Sequence, residues 1–359
     1  MSLDFRGLNP QQRQAVEHGD GPLLLLAGAG TGKTRVITYR IARLIARGVP
    51  AEHILAVTFT NKAAREMRER LTALLSPAQV KDLTASTFHS FCAKILRARI
   101  PRLGYGRNFD IASDSYQLGL VRNVMSELGL TQNGLTGRDY LQMISMAKSR
   151  LLTPDQVTSS NGSWSPGLPD VYALYQRRLK NMDLVDFDDL LMLVVQLWQT
   201  HPKELDAHRQ RYQHLLVDEY QDTNAVQFEL MASLAGSIAN ICAVGDDDQS
   251  IYGWRGADVT NILHFEEHFP NAAVIRLEQN YRSTETILNA ANQVIAHNRE
   301  RHPKKLWSKN GTGEPILVVS TEDETAEATF AVDFIRDRWA TRGGGLNQFA
   351  ILYRSNHQS

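Results

Sequence analysis

The sequence predicts an α/β protein built on a parallel sheet, because short apolar runs alternate with amphipathic helical stretches. The first run, Leu23–Leu26, ends in glycines and is followed by apolar residues near helical spacing. The runs Ile54–Thr60 and Leu83–Thr87 each lead into a further helical stretch, and His214–Val217 resumes the pattern later in the chain. Strands that alternate with helices favour a parallel sheet whose ligands bind at the carboxyl ends of the strands.

The segment that joins the first strand to its helix is rich in glycine. Its sequence is Ala27-Gly28-Ala29-Gly30-Thr31-Gly32-Lys33-Thr34. Glycines let backbone N–H groups turn toward phosphate oxygens, and the helix N-terminus adds a favourable partial charge. In such a loop Lys33 reaches the β and γ phosphates and Thr34 ligates Mg²⁺. The usual pattern begins with glycine, where this chain has Ala27, and a chance glycine turn is the alternative interpretation.

Length and composition limit the possible classes of protein. A chain of 359 residues is long for a single core, so two or more domains are expected. The formal net charge is zero, so any binding of nucleic acid must come from a local groove. Cys92 and Cys242 match no metal-binding spacing, the N-terminus lacks the form of a signal peptide, and no apolar run approaches the ~20 residues of a membrane helix. We therefore expect a cytoplasmic protein with no membrane association.

The predicted secondary structure changes between about residues 105 and 200, where strand patterns become rare and helical patterns dominate. We interpret this stretch as a helical insertion into the α/β domain. The sheet resumes at His214–Val217, Ile241–Val244 and Val274–Leu277. A second, smaller domain begins near Leu277, with predicted strands at Ile316–Val319 and Phe349–Tyr353 on either side of a helix at about residues 326–339.

Two carboxylates follow the predicted strand His214–Val217 directly. Asp218 would hold Mg²⁺ at the end of a buried strand, and Glu219 could position or deprotonate the attacking water. A surface acidic pair is the alternative. Gln249 follows another strand end and could bond the γ-phosphate or the attacking water and so sense hydrolysis, although for an isolated residue a solvated glutamine is the better interpretation. Arg282 could stabilise charge on the transferred phosphoryl group, with a surface ion pair as the alternative.

Aromatic residues also follow the predicted strand ends. Phe59, Tyr252 and Trp254 would face the ligand-binding side of the sheet, where bases of single-stranded nucleic acid could stack on them. Core packing is the alternative for each ring. Polar neighbours that could meet phosphates are Thr60, Asn61, Lys62, His89 and Arg255.

Taken together, these stretches resemble the superfamily 1A DNA helicases of the UvrD/Rep/PcrA-like group, over nearly the whole chain. The matching segments are 8–12 (Q motif), 27–35 (motif I), 58–64 (Ia), 86–90 (Ib), 217–222 (II), 244–256 (III) and 279–284 (IV). Alanine at the first position of motif I is usual in this family, which accounts for Ala27. The resemblance also gives Gln12 the position that recognises adenine.

The resemblance implies two RecA-like domains, named 1A and 2A, with helical insertions 1B and 2B. Residues 1–104 and 201–276 correspond to 1A, residues 105–200 to 1B, and residues 277–359 to a partial 2A that ends before 2B. The family's motifs V and VI have no counterpart here, so we expect an N-terminal portion of a longer helicase that does not unwind duplex alone. ATP and Mg²⁺ would bind between 1A and 2A.

The resemblance further implies DNA-stimulated ATP hydrolysis and 3′-to-5′ movement on single-stranded DNA. Arg282 takes the role of an arginine finger, Tyr281 stacks on adenine, and Gln249 couples the nucleotide to the DNA-facing residues. The expected nucleotide-binding residues are Gln12, Ala27, Gly28, Ala29, Gly30, Thr31, Gly32, Lys33, Thr34, Arg35, Tyr281 and Arg282. Expected partners are single-stranded DNA, its junctions with duplex, and repair or replication proteins.

Two functions other than the helicase motor are alternatives. One is a nucleotide-dependent DNA-binding or protein-interaction module without motor activity. The other is a P-loop kinase, which is disfavoured because no site for a phosphate acceptor is evident. The sequence leaves open whether the pathway is replication restart, excision repair or recombination.

Overall fold

The computed structural model of the protein describes residues 4–131, 134–159, 164–165 and 167–355. Contacts divide the chain into two compact units, residues 1–312 and 313–359. The strands, in chain order, are β1 Leu23–Ala27, β2 Ile54–Thr58, β3 Thr84–Thr87, β4 Asp110–Ile111, β5 Leu184–Val185, β6 His214–Val217, β7 Ile241–Gly245, β8 Ala273–Leu277, β9 Gln279–Asn280 and β10 Trp307–Ser308.

The helices surround these strands. In chain order they are α1 Pro10–Glu17, α2 Lys33–Ala46, α3 Asn61–Leu74, α4 Pro77–Val80, α5 Phe88–Arg99, α6 Asp114–Glu127, α7 Gly137–Ser149, α8 Pro154–Ser159, α9 Leu168–Asn181, α10 Asp189–Thr200, α11 Pro202–Arg211, α12 Ala225–Ala235, α13 Thr260–Leu263, α14 Phe265–His268, α15 Glu285–Ile295 and α16 Glu324–Arg342. Among the described residues, no helix is long and apolar enough to cross a bilayer.

A parallel sheet organises the first unit, as the sequence predicted. Its strand order in the described chain is β3-β2-β6-β7-β1-β8. Strand β1 lies between two partners, so that Leu23 is opposite both Cys242 and Ala273. The four leucines are fully buried, because Leu24 and Leu26 belong to one apolar cluster and Leu23 and Leu25 to the other. Helices thus cover both faces of the sheet, which explains why β1 has no polar residue on either face.

Helices predominate among the described residues between 105 and 200, as the sequence indicated. Helices α6, α7 and α9 share an apolar cluster of their own, in which Tyr140 and Tyr175 are fully buried. Two features were not predicted. The two-residue strands β4 and β5 pair in parallel, and they are too short to leave a periodic signal. Helix α10, which the sequence assigned to the insertion, packs Leu190 and Trp198 into a cluster that also contains sheet residues.

The second unit contains helix α16, which covers the predicted helix at residues 326–339. The strands predicted at Ile316–Val319 and Phe349–Tyr353 are wrong, because both segments are irregular in the structure. A strand exists only where a neighbouring strand takes its backbone hydrogen bonds, and neither segment has such a partner among the described residues. Their apolar side chains are accordingly exposed, with Val318 at 88% and Leu352 at 90%.

Candidate nucleotide and DNA site

The glycine loop lies between the end of β1 and the start of α2. Gly30 and Gly32 have positive φ angles of 69° and 90°, which favour residues without a Cβ. Thr31 is buried, and its hydroxyl donates to the Gly28 carbonyl oxygen at 2.7 Å. The helix begins at Lys33, so its unpaired N–H groups lie at the end of the loop. This is the strand–loop–helix arrangement that binds phosphate.

Ala27 stands where the usual pattern has glycine, and the structure explains why alanine is tolerated. It is the last residue of β1, is fully buried, and is opposite Leu277 of β8. The turn of the loop therefore starts only at Gly28, and position 27 keeps ordinary strand geometry with its methyl group in the core.

Lys33 and Glu219 meet across the loop. The Lys33 Nζ lies 3.2 Å from the Glu219 Oε2, and the two side chains are 11% and 38% exposed. Glu219 has a φ of 52°, an uncommon conformation for a residue with a side chain. This bend follows directly after β6 and directs the two successive carboxylates differently. Backbone strain of this kind concentrates at functional sites.

Asp218 lies at the end of the central part of the sheet and is 4% exposed. Burial and the adjacent Glu219 charge raise the pKa of Asp218 to about 6, against the opposing influence of Lys33. Its Oδ1 accepts the Glu219 N–H at 3.0 Å, and no lysine or arginine of the described chain forms an ion pair with it. A buried carboxylate that forms no ion pair is a ligand suited to Mg²⁺. No group of three or more acidic, histidine or cysteine residues able to hold a metal ion exists in the described chain.

Gln12 is 1% exposed and is held by contacts at both ends of its amide. Its Nε2 donates to the Thr31 carbonyl oxygen at 2.8 Å, and its Oε1 accepts the Asn9 N–H at 3.1 Å. Each amide atom retains one further hydrogen-bonding position, which a base could use. Arg35 has its guanidinium 5.6 Å from the centre of the Tyr39 ring, so it packs against its own helix.

The segment 279–283 is attached to the glycine loop. The Tyr281 N–H donates to the Gly30 carbonyl oxygen at 2.9 Å, and the Asn280 Nδ2 donates to the Ala29 carbonyl oxygen at 2.6 Å. The Asn280 Oδ1 accepts the N–H of Arg282 at 2.8 Å. Both Tyr281 and Arg282 are exposed, and the Tyr281 hydroxyl is hydrogen-bonded to Asn9 and Gln279, which orients its ring at the edge of the loop. The sequence placed these two residues at the site but gave no role to Asn280.

A hydrogen-bonded chain leads from Glu219 to the loop after β7. The Gln221 Nε2 donates to the Glu219 Oε2 at 3.0 Å, and the Gln221 Oε1 accepts the Asp246 N–H at 3.0 Å. The Gln249 side chain donates to the Asp246 carboxylate. Gln249 is thus connected, through Asp246 and Gln221, to Glu219, which pairs with Lys33 at the end of the glycine loop. Gln221 is 1% exposed, and sequence reasoning missed it. The available sequence signal was that Gln221 lies only three residues after Asp218, the predicted ligand of Mg²⁺.

The predicted DNA-facing residues follow the carboxyl ends of β2, β3 and β7. Trp254 is 65% exposed and Tyr252 is 40% exposed, and the Arg255 guanidinium lies 4.6 Å from the centre of the Trp254 ring. Phe59 is half-buried and packs edge-on against Phe88, with ring centres 5.7 Å apart. The first two rings are thus available for stacking, whereas Phe59 also contributes to the core.

Some polar neighbours of these rings are exposed, and others already contact another group of the protein. Asn61 and Lys62 are exposed on the first turn of α3, and Thr60 caps that helix through a 3.1 Å bond from the Ala63 N–H. His89 stacks on Phe187, with ring centres 3.8 Å apart. Burial lowers the pKa of His89 to about 4, so this imidazole is neutral at physiological pH and offers no charge to a phosphate.

Phe187 is a further candidate that the sequence analysis did not select. Its side chain is 55% exposed although it stacks on His89. An exposed ring beside the predicted DNA-facing residues extends the aromatic surface that could contact bases. The polar residues that surround it in sequence gave no reason to prefer it over a core phenylalanine.

The fold and the loop define a P-loop protein of the RecA-like class. A family model for the UvrD/REP helicase N-terminal domain matches residues 8–270, and one for the UvrD-like helicase C-terminal domain matches residues 275–359. The chain therefore belongs to the UvrD/REP helicase family.

Relatives with curated descriptions agree with this assignment. The chain is 48% identical over 355 residues to the ATP-dependent DNA helicase PcrA of Bacillus subtilis, covering 98% of this chain and 48% of the relative. It is 47% identical to the protein of the same name in Leuconostoc citreum, covering 98% and 47% respectively. For that of Staphylococcus epidermidis the identity is 45%, covering 100% and 49%. The chain thus spans about half the length of these relatives.

Proposed function

We propose that this chain binds ATP and Mg²⁺ at the glycine loop and supplies the ATP-hydrolysing and DNA-binding portion of an ATP-dependent DNA helicase that moves 3′ to 5′ along single-stranded DNA. By itself it does not unwind duplex. The observation that carries the proposal is the meeting of Lys33 and Glu219 at 3.2 Å beside the buried Asp218. The names of the curated relatives, which are ATP-dependent DNA helicases, support the same activity.

The ion pair suggests how substrate binding readies the site. A γ-phosphate that enters the loop competes for the Lys33 ammonium and separates it from Glu219. The released carboxylate is then able to accept a proton from water, as a general base must. The partial exposure of Glu219, at 38% of its side chain, leaves room for that water. Thr34 and Asp218 would hold Mg²⁺, which when bound neutralises phosphate charge.

The segment 279–283 supplies the opposite side of the nucleotide site. Tyr281 and Asn280 are hydrogen-bonded to the glycine loop, so the Arg282 Cβ lies directly beside Gly30. A guanidinium in this position can stabilise charge that develops on the transferred phosphoryl group. The exposed Tyr281 ring can stack on adenine, and Gln12 retains the hydrogen-bonding capacity to recognise it.

Single-stranded DNA would lie along the carboxyl ends of the strands, on the rings of Tyr252, Trp254 and Phe59. The nucleotide can drive movement only if it favours one arrangement of these contacts over another. Gln249 and Gln221 join the DNA-facing loop to Glu219 and supply such a dependence. We extend the proposal to junctions of single-stranded and duplex DNA, to repair or replication proteins as partners, and to a cytoplasmic location.

Steady-state ATP hydrolysis, measured with and without an oligo-dT strand, tests the proposal. Wild-type protein is expected to turn over ATP faster with DNA, and Lys33→Ala is expected to abolish turnover because it removes the phosphate contact. Lys203→Ala is a matched control, since Lys203 is exposed on α11, a helix that carries none of the site residues. Nucleotide binding without DNA-stimulated turnover would instead favour a nucleotide-dependent DNA-binding module without motor activity.

A further inference from the structure

A buried lysine joins the loop after β7 to a segment more than fifty residues later. The Lys304 Nζ lies 3.0 Å from the Asp246 Oδ1, 2.6 Å from the Asp247 Oδ1 and 2.8 Å from the Asp248 Oδ2. The Lys304 side chain is only 2% exposed. Arg301 adds two bonds to Asp248, each 2.7 Å long. We call Asp246–Asp248 the acidic loop and Arg301–Leu306 the basic segment.

The two cations contact three successive carboxylates. Burial alone would lower the pKa of Lys304, but the three aspartates outweigh it and raise that pKa above its usual value. Burial likewise opposes ionisation of Asp248, yet Arg301 and Lys304 lower the pKa of this carboxyl group. Carboxylates so close to one another repel, so the shape of the acidic loop depends on these cations.

The acidic loop lies between the nucleotide site and the DNA-facing residues. On one side, the Asp246 N–H donates to Gln221, whose amide also bonds Glu219. On the other side, Gln249 donates to the Asp246 carboxylate, and the chain continues from there to Tyr252 and Trp254. Displacement of the acidic loop would therefore alter both connections at once.

The basic segment also reaches the glycine loop. The Leu306 side chain occupies the space that a Cβ at Gly28 would need. The His302 N–H donates to the Asp247 Oδ2 at 2.8 Å, which fixes the backbone of the segment to the acidic loop. The basic segment thus contacts the phosphate-binding loop at one end and the acidic loop at the other.

We propose that Arg301 and Lys304 are positioning residues that make nucleotide binding and DNA binding interdependent. They hold the acidic loop where Asp246 meets both Gln221 and Gln249, and they transmit movement of the glycine loop through Leu306. Neither residue contacts substrate in this role. Their loss leaves each binding site in place and removes the coupling between them. The inference rests on the proposed function, because it requires that the chain bind both nucleotide and single-stranded DNA.

The test measures the dissociation constant of a fluorescent oligo-dT strand by anisotropy, with and without a non-hydrolysable ATP analogue and Mg²⁺. The ratio of the two constants is the coupling factor, which commonly lies at about 5–150 when two sites are linked. For Arg301→Gln and Lys304→Met we expect this factor to fall to about 1. The affinity for a fluorescent nucleotide without DNA is expected to stay within about threefold of wild type, a difference below about 0.7 kcal/mol.

Matched variants separate positioning from a general loss of structure. Lys305→Met removes the same charge from an exposed neighbour and is expected to keep the wild-type coupling factor. Arg301→Lys keeps the charge but loses the paired bonds to Asp248, so an intermediate factor is expected. If Lys304→Met does not fold because Asp246 and Asp247 lose their cation, Arg301→Gln carries the test, since Lys304 remains in place.

A wild-type coupling factor in Arg301→Gln would overturn the inference, as would a wild-type protein that binds both ligands with a factor of 1. The first outcome leaves the proposed function standing, whereas the second also contradicts nucleotide-driven movement along DNA. A wild-type protein that binds neither ligand would instead reject the proposed function and the inference together. A fall in coupling for Lys305→Met equal to that of Lys304→Met would also contradict the specific role of the buried ammonium.

Discussion

A second buried lysine, Lys148 at the end of α7, offers a quantitative test of how the helical stretch is attached to α10. Its Nζ lies 2.6 Å from the Asp186 Oδ2 and 2.7 Å from the Asp189 Oδ1, and its side chain is fully buried. Burial alone would lower the pKa of Lys148, but the two aspartates raise it well above the usual value. The pair of bonds attaches the helical stretch to the start of α10, so Lys148→Met should destabilise the first unit.

The magnitude follows from what the substitution leaves behind. Removing one partner of a buried ion pair costs about 3–5 kcal/mol, because the remaining charge is uncompensated. Here Asp186 keeps the Tyr175 hydroxyl at 3.0 Å, and Asp189 keeps the Gln176 amide at 2.9 Å. These bonds replace part of the lost stabilisation, so we expect the free energy of unfolding to fall by about 3 kcal/mol.

The penalty should also depend on pH. Burial and the Asp186 charge already raise the pKa of Asp189 in the folded protein. Without Lys148 this pKa rises further above its unfolded value, so the folded state binds protons more tightly than the unfolded state. Stability contributed by such a group is present at low pH and is lost as pH rises through the folded pKa. The loss caused by Lys148→Met should therefore be larger at pH 8 than at pH 5.5.

Urea unfolding followed by circular dichroism measures the free energy of unfolding for wild type and variant. Lys94→Met serves as the control, because Lys94 is exposed on α5 and its loss should change stability by less than about 0.5 kcal/mol. Adding Asp189→Asn to Lys148→Met should cost less than the sum of the two single changes. A Lys148→Met penalty below about 1 kcal/mol at pH 8 would refute the reasoning.

Three further predictions concern individual side chains of the site. Trp254→Ala should weaken oligo-dT binding by about 1–3 kcal/mol through lost stacking, and unchanged anisotropy titrations would argue against a role in DNA binding. Because the pKa of His89 is about 4, lowering the pH from 7.5 to 5.5 should change oligo-dT affinity equally in wild type and His89→Gln; a gain confined to wild type would show that the imidazole becomes charged. Asn280→Ala should lower the free energy of unfolding by about 1–3 kcal/mol, because the Ala29 carbonyl and Arg282 N–H lose their partner, and an effect as small as that of the exposed Asn298→Ala would contradict this.

The local features of the glycine loop could be predicted from the sequence, because strand, glycine turn and helix are contiguous there. The apolar run Leu23–Leu26 and the positive φ angles of Gly30 and Gly32 belong to one short segment. Even the departure at Ala27 has a local cause, since that residue ends the strand. The parallel sheet followed for the same reason, from runs that are apolar on both faces.

The features that sequence reasoning missed depend on distant residues. Ile316–Val319 has the composition of a strand, but a strand also needs a partner, and no such partner is present in the described chain. Lys304 contacts Asp247, a residue 57 positions away, and neither has a local pattern that indicates the other. Gln221 likewise gains its importance only from the fold, which brings Asp246 to its amide.

The most direct test of the central claim compares ATP binding with ATP turnover in Glu219→Gln, in the presence of oligo-dT. If Glu219 accepts the proton of the attacking water, the variant should bind ATP with an affinity close to that of wild type. Its rate of turnover should fall by about 10²–10⁴-fold, the contribution typical of a general base. Turnover within a few-fold of wild type would contradict the assignment of this site as the centre of ATP hydrolysis.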